Sequence, residues 1–285
     1  MSHSSSWRSI AVVLMAAVLA ASFGGCGGGS AAGTGGAGAS SGGSGGSAGT
    51  ANAHLAQFSF FVISREAIVS LSGSEDGFGG DLRFGEATGL AGADKICARA
   101  AESGIPGAGT KTWRAFLSAS GAAGGVAVNA RDRVGAGPWY DAVGRRVAST
   151  LEQLLMDRPG DADAAIKNDL PNETGLPNHM DGAPGCTGSS CPNNHQLLTG
   201  SGADGALYTA TTAAADATCS DWTSSAASGH PRVGHSWPTQ GSGTSWISDE
   251  DGAGCAPCTK ATAGAACVGA TGSYGGFYCF ALSGT

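Results

Sequence analysis

Charge is scarce in this sequence. Only 13% of its 285 residues are charged, and acids outnumber bases 22 to 15. The resulting formal charge of −7 argues against nucleic acid or heparin as a partner, since both are held through dense positive charge. A permanent membrane span is also lacking, because the apolar run from Ile10 to Ala21 falls short of the roughly 20 residues a bilayer needs. There is no HExxH, no GxSxG elbow, no Walker loop and no internal repeat. His195, His230 and His235 occur among many serines and aspartates, but nothing in the sequence positions a triad, so no enzyme activity is expected.

What is present begins with an export leader. A single base, Arg8, precedes the apolar run, and Ser22-Phe-Gly-Gly-Cys26 follows it. Small residues before a cysteine match a bacterial lipobox, with residues 1–25 as signal peptide and Cys26 acylated. An ordinary secretory signal is the alternative. Gly27 to Ala53 is almost entirely Gly, Ser, Ala and Thr, too poor in apolar surface to offset its ordering entropy. Residues 26–53 therefore form a lipidated tether, with a coil span of about 30 Å. The expected location is the cell envelope, anchored through lipid to the membrane, at the outer membrane or cell surface.

Residues 54–285 are long enough for one domain with a real core, or a smaller core with long insertions. Eight cysteines follow Cys26, and an even number in an exported chain reads as disulfides. The competing reading is zinc, because Cys255-Ala-Pro-Cys258 and the Cys186, Cys191 pair have the spacing of half-sites.

Along this region, Phe58 to Ser64 reads as a strand and Ser72 to Gly85 as a loop. Leu90, Ile96, Cys97 and Ala101 recur at helical spacing and stop at Gly104, while Thr112 to Ser118 alternates as a central strand. Val126 to Asn129, Trp139-Tyr140 and Val143 to Val147 suggest short strands or turns, and Thr150 caps a short second helix. About 157–194 is a long, Pro-rich loop. His195 to Gly200, Ser245 to Ser248 and Phe277 to Leu282 complete the strands, and Cys219-Ser-Asp-Trp222 is a tight corner with a buried indole.

Gly89-Leu-Ala-Gly-Ala-Asp up to Cys97, Trp113-Arg-Ala-Phe-Leu-Ser118, Val128-Asn-Ala-Arg-Asp132, Leu198-Thr-Gly-Ser, Thr218-Cys-Ser-Asp-Trp222 and Tyr278-Cys-Phe280 occur in this order. As a set these blocks resemble endostatin, the C-terminal domain of certain collagens, and related bacterial secreted proteins and lipoproteins. The resemblance implies an α+β, C-type-lectin-like fold: a mixed, mainly antiparallel sheet, two flanking helices and nested disulfides. It implies that Cys97 pairs with Cys279 and that Cys219 pairs with Cys255, Cys258 or Cys267. Cys255, following the Trp246 region, is favoured, leaving Cys258 with Cys267 and Cys186 with Cys191. Endostatin's zinc histidines have no counterpart beyond His54, and its heparin-binding arginines none beyond Arg131, Arg133, Arg145 and Arg146, which read as a solvated face.

The fold implied by the resemblance also directs attention to Asp249, Glu250 and Asp251 after Trp246, with Asn172 and Glu173 in the preceding loop. In calcium-dependent lectins such groups supply oxygen ligands to a cation that holds sugar hydroxyls. Calcium is thus the possible cofactor. Trp113, Trp139, Trp222 and Trp246 read as core, whereas Trp237 is expected to be exposed and open to a ligand. The function expected is a surface-tethered extracellular binding module for a glycan or matrix-type protein. The alternatives are a structural envelope lipoprotein without a small ligand, and an exported hydrolase.

Overall fold

The structure is a computed structural model, and it describes residues 54–122, 126–180, 194–209, 216–238, 245–259, 264–270, 272 and 273–282. The leader, Cys26, the tether, Cys186 and Cys191 lie outside the described residues. The described part is a mixed α+β domain whose sheet is mainly antiparallel. No helix among the described residues is long and apolar enough to cross a membrane.

One strand organises everything else. β8 (Ser273–Ala281) is buried along all nine residues, which is why its sequence shows an aromatic run and no alternation. It starts at Ser273, before the expected Phe277, because its first half pairs in parallel with β5 (Gln196–Leu198). Its second half is flanked by β1 (Phe60–Val62) and β2 (Trp113–Ala115), both antiparallel, with Phe61 and Ala115 each opposite Cys279. The order β1-β8-β5-β6-β7 is completed by β6 (Arg232–His235) and β7 (Glu250–Asp251). A separate hairpin pairs β3 (Trp139–Tyr140) with β4 (Arg146–Ala148).

Helices pack around this sheet. α2 (Gly89–Gly104) forms as expected: the Thr88 hydroxyl accepts from the Ala91 N–H at 3.2 Å, and Gly92, Ala93, Ile96, Cys97, Ala100 and Ala101 make its buried face. Gly92 is needed there, since a Cβ would lie 2.1 Å from the carbonyl oxygens of Leu82 and Arg83. α3 (Leu151–Leu154) is a single turn capped by Thr150. α1 (Arg65–Ser72) has no counterpart in the sequence reading. Its cap, Ser64, accepts from the Ala67 N–H at 2.9 Å, and the partner that completes the cap is Glu173, far away in sequence.

Among the described residues the disulfides are Cys97–Cys279, Cys219–Cys255 and Cys258–Cys267, the first enclosing the other two. These pairings agree with expectation, and they consume both thiols of the CxxC, so that motif is no zinc half-site. Trp113, Trp139, Trp222 and Trp246 are buried, and every indole N–H donates to a backbone carbonyl, Trp222 to Ser118 at 2.8 Å and Trp246 to Leu154 at 2.9 Å. The corner at Cys219 to Trp222 is a left-handed turn, with φ of 47°, 54°, 57° and 64° at four successive non-glycine residues. Left-handed backbone costs about 1–2 kcal/mol per such residue. The Cys255 bridge, the buried indole and carboxylates of Asp216 and Asp221 bonded to nearby N–H groups hold it in place.

Two sequence expectations are corrected. Ser245 to Ser248 is not a strand but a bend, and the chain pairs only afterwards, at Glu250 and Asp251. β6 was not anticipated, because Pro231 precedes it and Gly234 interrupts it. Gly234 is obligatory: a Cβ there would meet the Trp246 carbonyl oxygen at 2.0 Å.

Candidate functional site

Polar side chains converge at the β5-β6-β7 end of the sheet. Gln196 and His235 are directly opposite in the antiparallel β5-β6 pair, so their side chains share a face. Glu250 lies opposite Val233 and is therefore the diagonal neighbour of His235 on that face. His195 sits just before β5. Its carbonyl accepts from the Ser236 N–H at 2.8 Å, and its ring meets that of His235 edge to face at 4.7 Å.

His235 is 1% exposed and His195 7%. Nε2 of His235 faces Glu250 Oε1 at 3.2 Å and Asp249 Oδ2 at 3.4 Å. The Gln196 amide donates to the same Glu250 oxygen. Nδ1 of His235 is buried without a hydrogen-bond partner. One ligand atom each from His195, His235 and Glu250 lies within 4.8 Å of the other two, the one such metal-competent group among the described residues.

Beneath this rim lies Arg158. Its guanidinium donates to the carbonyls of Lys167, His235 and Ser236, at 3.0, 2.5 and 2.7 Å. The backbone turn after β6 is thereby pinned. Further along it, Trp237 stacks on His179, with ring centroids 4.4 Å apart and planes 14° from parallel. His179 Nδ1 is 2.6 Å from Asp169 Oδ2. Burial pushes the Asp169 carboxyl above its ordinary range, against the opposing pull of His179 and Arg158.

The residues singled out in the sequence are distributed differently from expectation. Asp249, Glu250 and Asp251 do not converge: Asp249 and Glu250 face His235, whereas Asp251 bonds Arg232 at 3.0 Å. Adjacent strand residues point to opposite faces, which divides the expected oxygen cage. Glu173 is buried and accepts from the Ser64 N–H and hydroxyl, so it is a helix cap. Asn172 is buried too, and its side-chain oxygen accepts from Thr174 and Leu176 within its own turn. Trp237 is half-buried, not exposed. His230 bonds the Gly252 carbonyl through Nδ1 at 3.0 Å.

The four arginines that might have formed a basic face are all neutralised. Arg131 pairs with Asp204, Arg133 with Asp94, Arg145 with Asp141 and Arg146 with Asp161. Two clefts of about 490 and 480 Å³ share no lining residue with the rim. Their charged groups are committed internally: Lys111 donates to the carbonyls of Ala56 and Phe58, and Asp216 and Asp221 accept from backbone N–H groups.

His195 and His235 were visible in the sequence as histidines, but forty residues separate them and only the β5-β6 register brings them together. No short spacing could have announced the pair. Compared with known proteins, the chain matches no family model and no curated sequence.

Proposed function

We propose that this chain is an exported, surface-tethered binding module of endostatin-like, C-type-lectin-like architecture, and that it takes an extracellular glycan or matrix-type protein at the β5-β6-β7 rim. The observation that carries this reading is the burial of two imidazoles against two carboxylates at the end of the sheet. Burying polar groups is unfavourable unless each is fully bonded, and the core would be served as well by apolar residues at these positions. The paired arginines support a ligand held by shape and a few directed bonds, not by bulk charge. In this reading Trp237, backed by His179, supplies the apolar contact beside the polar cluster.

The test is binding of the oxidised full-length chain to a glycan array and to immobilised matrix proteins, for wild type, Trp237→Ala and Gln196→Ala. A ligand retained by wild type and released at least tenfold faster by either variant supports the module. Retention of nothing by a folded wild type assigns the chain a structural role in the envelope.

A further inference from the structure

We propose that His195, His235 and Glu250 form a site for a divalent transition-metal ion of the zinc class. The proposal deepens the binding reading and rests on it for the ion's purpose, but not for its existence.

The donor set is the first argument. Two imidazoles and a carboxylate suit zinc and its d-block neighbours, whereas calcium and magnesium take oxygen ligands almost exclusively. The calcium expected from the acidic run is thereby replaced by a different ion at a different set of residues. Ligands at zinc's usual bond lengths stand roughly 3.3 Å apart around a tetrahedral centre. The present separations, all within 4.8 Å, exceed that by about 1.5 Å at most.

The second argument is the unpartnered Nδ1 of His235, on a residue only 1% exposed. A neutral imidazole has one N–H donor and one lone pair, and a dry interior penalises whichever is left idle. Nε2 already faces two carboxylates, so a ring without a cation cannot satisfy both nitrogens. A metal taken at Nδ1 uses the idle lone pair and fixes the proton on Nε2, where Asp249 stands to accept it, which is how ligating histidines are ordinarily held.

The surroundings supply what such a centre requires. Gln196 orients the Glu250 carboxylate, and Asp249 stands close enough to His235 to steady its ring. Arg158 fixes the backbone of His235 from below. The Glu250 side chain is 46% exposed, so the ion has a route in from solvent. Three protein ligands leave a fourth position facing outward, open to a donor atom of the extracellular ligand. The described cysteines are oxidised and do not compete for the ion.

The experiment uses the untagged, oxidised full-length chain, stripped with EDTA and desalted, and titrated with zinc chloride, then with calcium chloride, by calorimetry. Cobalt(II) serves as a spectroscopic probe, since a tetrahedral site gives visible d–d bands. One zinc per chain, a melting temperature raised by zinc and not by calcium, and a cobalt spectrum are expected. Glu250→Gln and His195→Gln should each weaken zinc at least tenfold. Glu250 is half-exposed, so its variant keeps the fold, which the metal-free melting temperature verifies.

Absence of stoichiometric zinc binding overturns the proposal, as does zinc binding unaffected by both variants. Zinc bound without any glycan or protein ligand retained upholds the metal site and defeats the module. A ligand retained equally in EDTA and in zinc, with the zinc titration negative, does the reverse.

Discussion

Glu173 accepts the backbone N–H of Ser64 at 2.9 Å and its hydroxyl at 2.5 Å, across 109 residues of chain. In a local capping box the acid that accepts the cap's N–H lies three residues into the helix; here that bond is made from a distant loop, and the Ser64 hydroxyl donates a second one to the same carboxylate. Glu173→Ala should therefore lower stability by about 1–3 kcal/mol, through a buried Ser64 N–H left without its acceptor. Urea unfolding measures the loss, and Ser64→Ala, which keeps that N–H bond but removes the hydroxyl that accepts from Ala67, should cost about 0.5–2 kcal/mol.

A second prediction concerns a pair hidden under α2. Asp94 receives both Arg133 Nη2 contacts, at 2.8 and 2.9 Å, and the Ala115 N–H at 2.8 Å. Asp94→Ala leaves the guanidinium buried without its counter-ion, which costs about 3–5 kcal/mol. Equilibrium unfolding should show that loss, and Asp94→Ala combined with Arg133→Met should recover part of it.

The disulfides should rank by the loop each closes. In the chain-entropy model, removing Cys97–Cys279, with a separation of 182, costs about 5 kcal/mol, and removing Cys258–Cys267, with a separation of 9, about 2.6 kcal/mol. Melting of the two double-alanine variants tests the order, which a larger loss from the short loop would contradict.

The left-handed turn predicts an unusual preference. Ser220 is exposed with φ of 54°, a conformation glycine adopts freely and β-branched residues resist. Ser220→Gly should raise stability by about 0.5–1 kcal/mol and Ser220→Val should lower it. A melting series over the three residues, Gly above Ser above Val, is the expected outcome.

Asp169 makes a prediction in pH. Its carboxyl is raised by burial, so the folded state holds the proton more tightly than the unfolded chain does. That contribution is complete below the unfolded value, about 3.9, and is lost as pH rises through the folded value. Asp169→Asn cannot lose it. The stability of Asp169→Asn relative to wild type should therefore climb as pH rises from about 3.9, in denaturant titrations at stepped pH.

These cases mark where the sequence was legible. α2 could be read because its apolar spacing and its stop are both local, and Cys97 lies on the face those residues define. The aromatic run around Cys279 declared a buried strand for the same reason. α1 could not be read, because half of its cap is Glu173. β6 and β7 are two to four residues long, one is broken by Gly234, and each is defined by its neighbour more than by itself. The candidate site shares that difficulty: Glu250 faces His235 only through a register set by three strands. Glu173 and Asn172 drew attention as polar groups of a long loop, open to a ligand, whereas the loop turns them inward to hold itself together.

The position of β8 has a consequence for how the protein is made. Phe61 and Cys279 face each other across 218 residues, so the first strand of the sheet leaves the ribosome long before its partner. At synthesis rates of about 5–20 residues per second, that wait is roughly 10 to 45 s. Until β8 arrives, β1 and β2 have no edge to join and β5 has no parallel neighbour. The chain is thus held in a loose state by its own topology until synthesis is nearly complete, and the sheet closes when its last strand enters the middle.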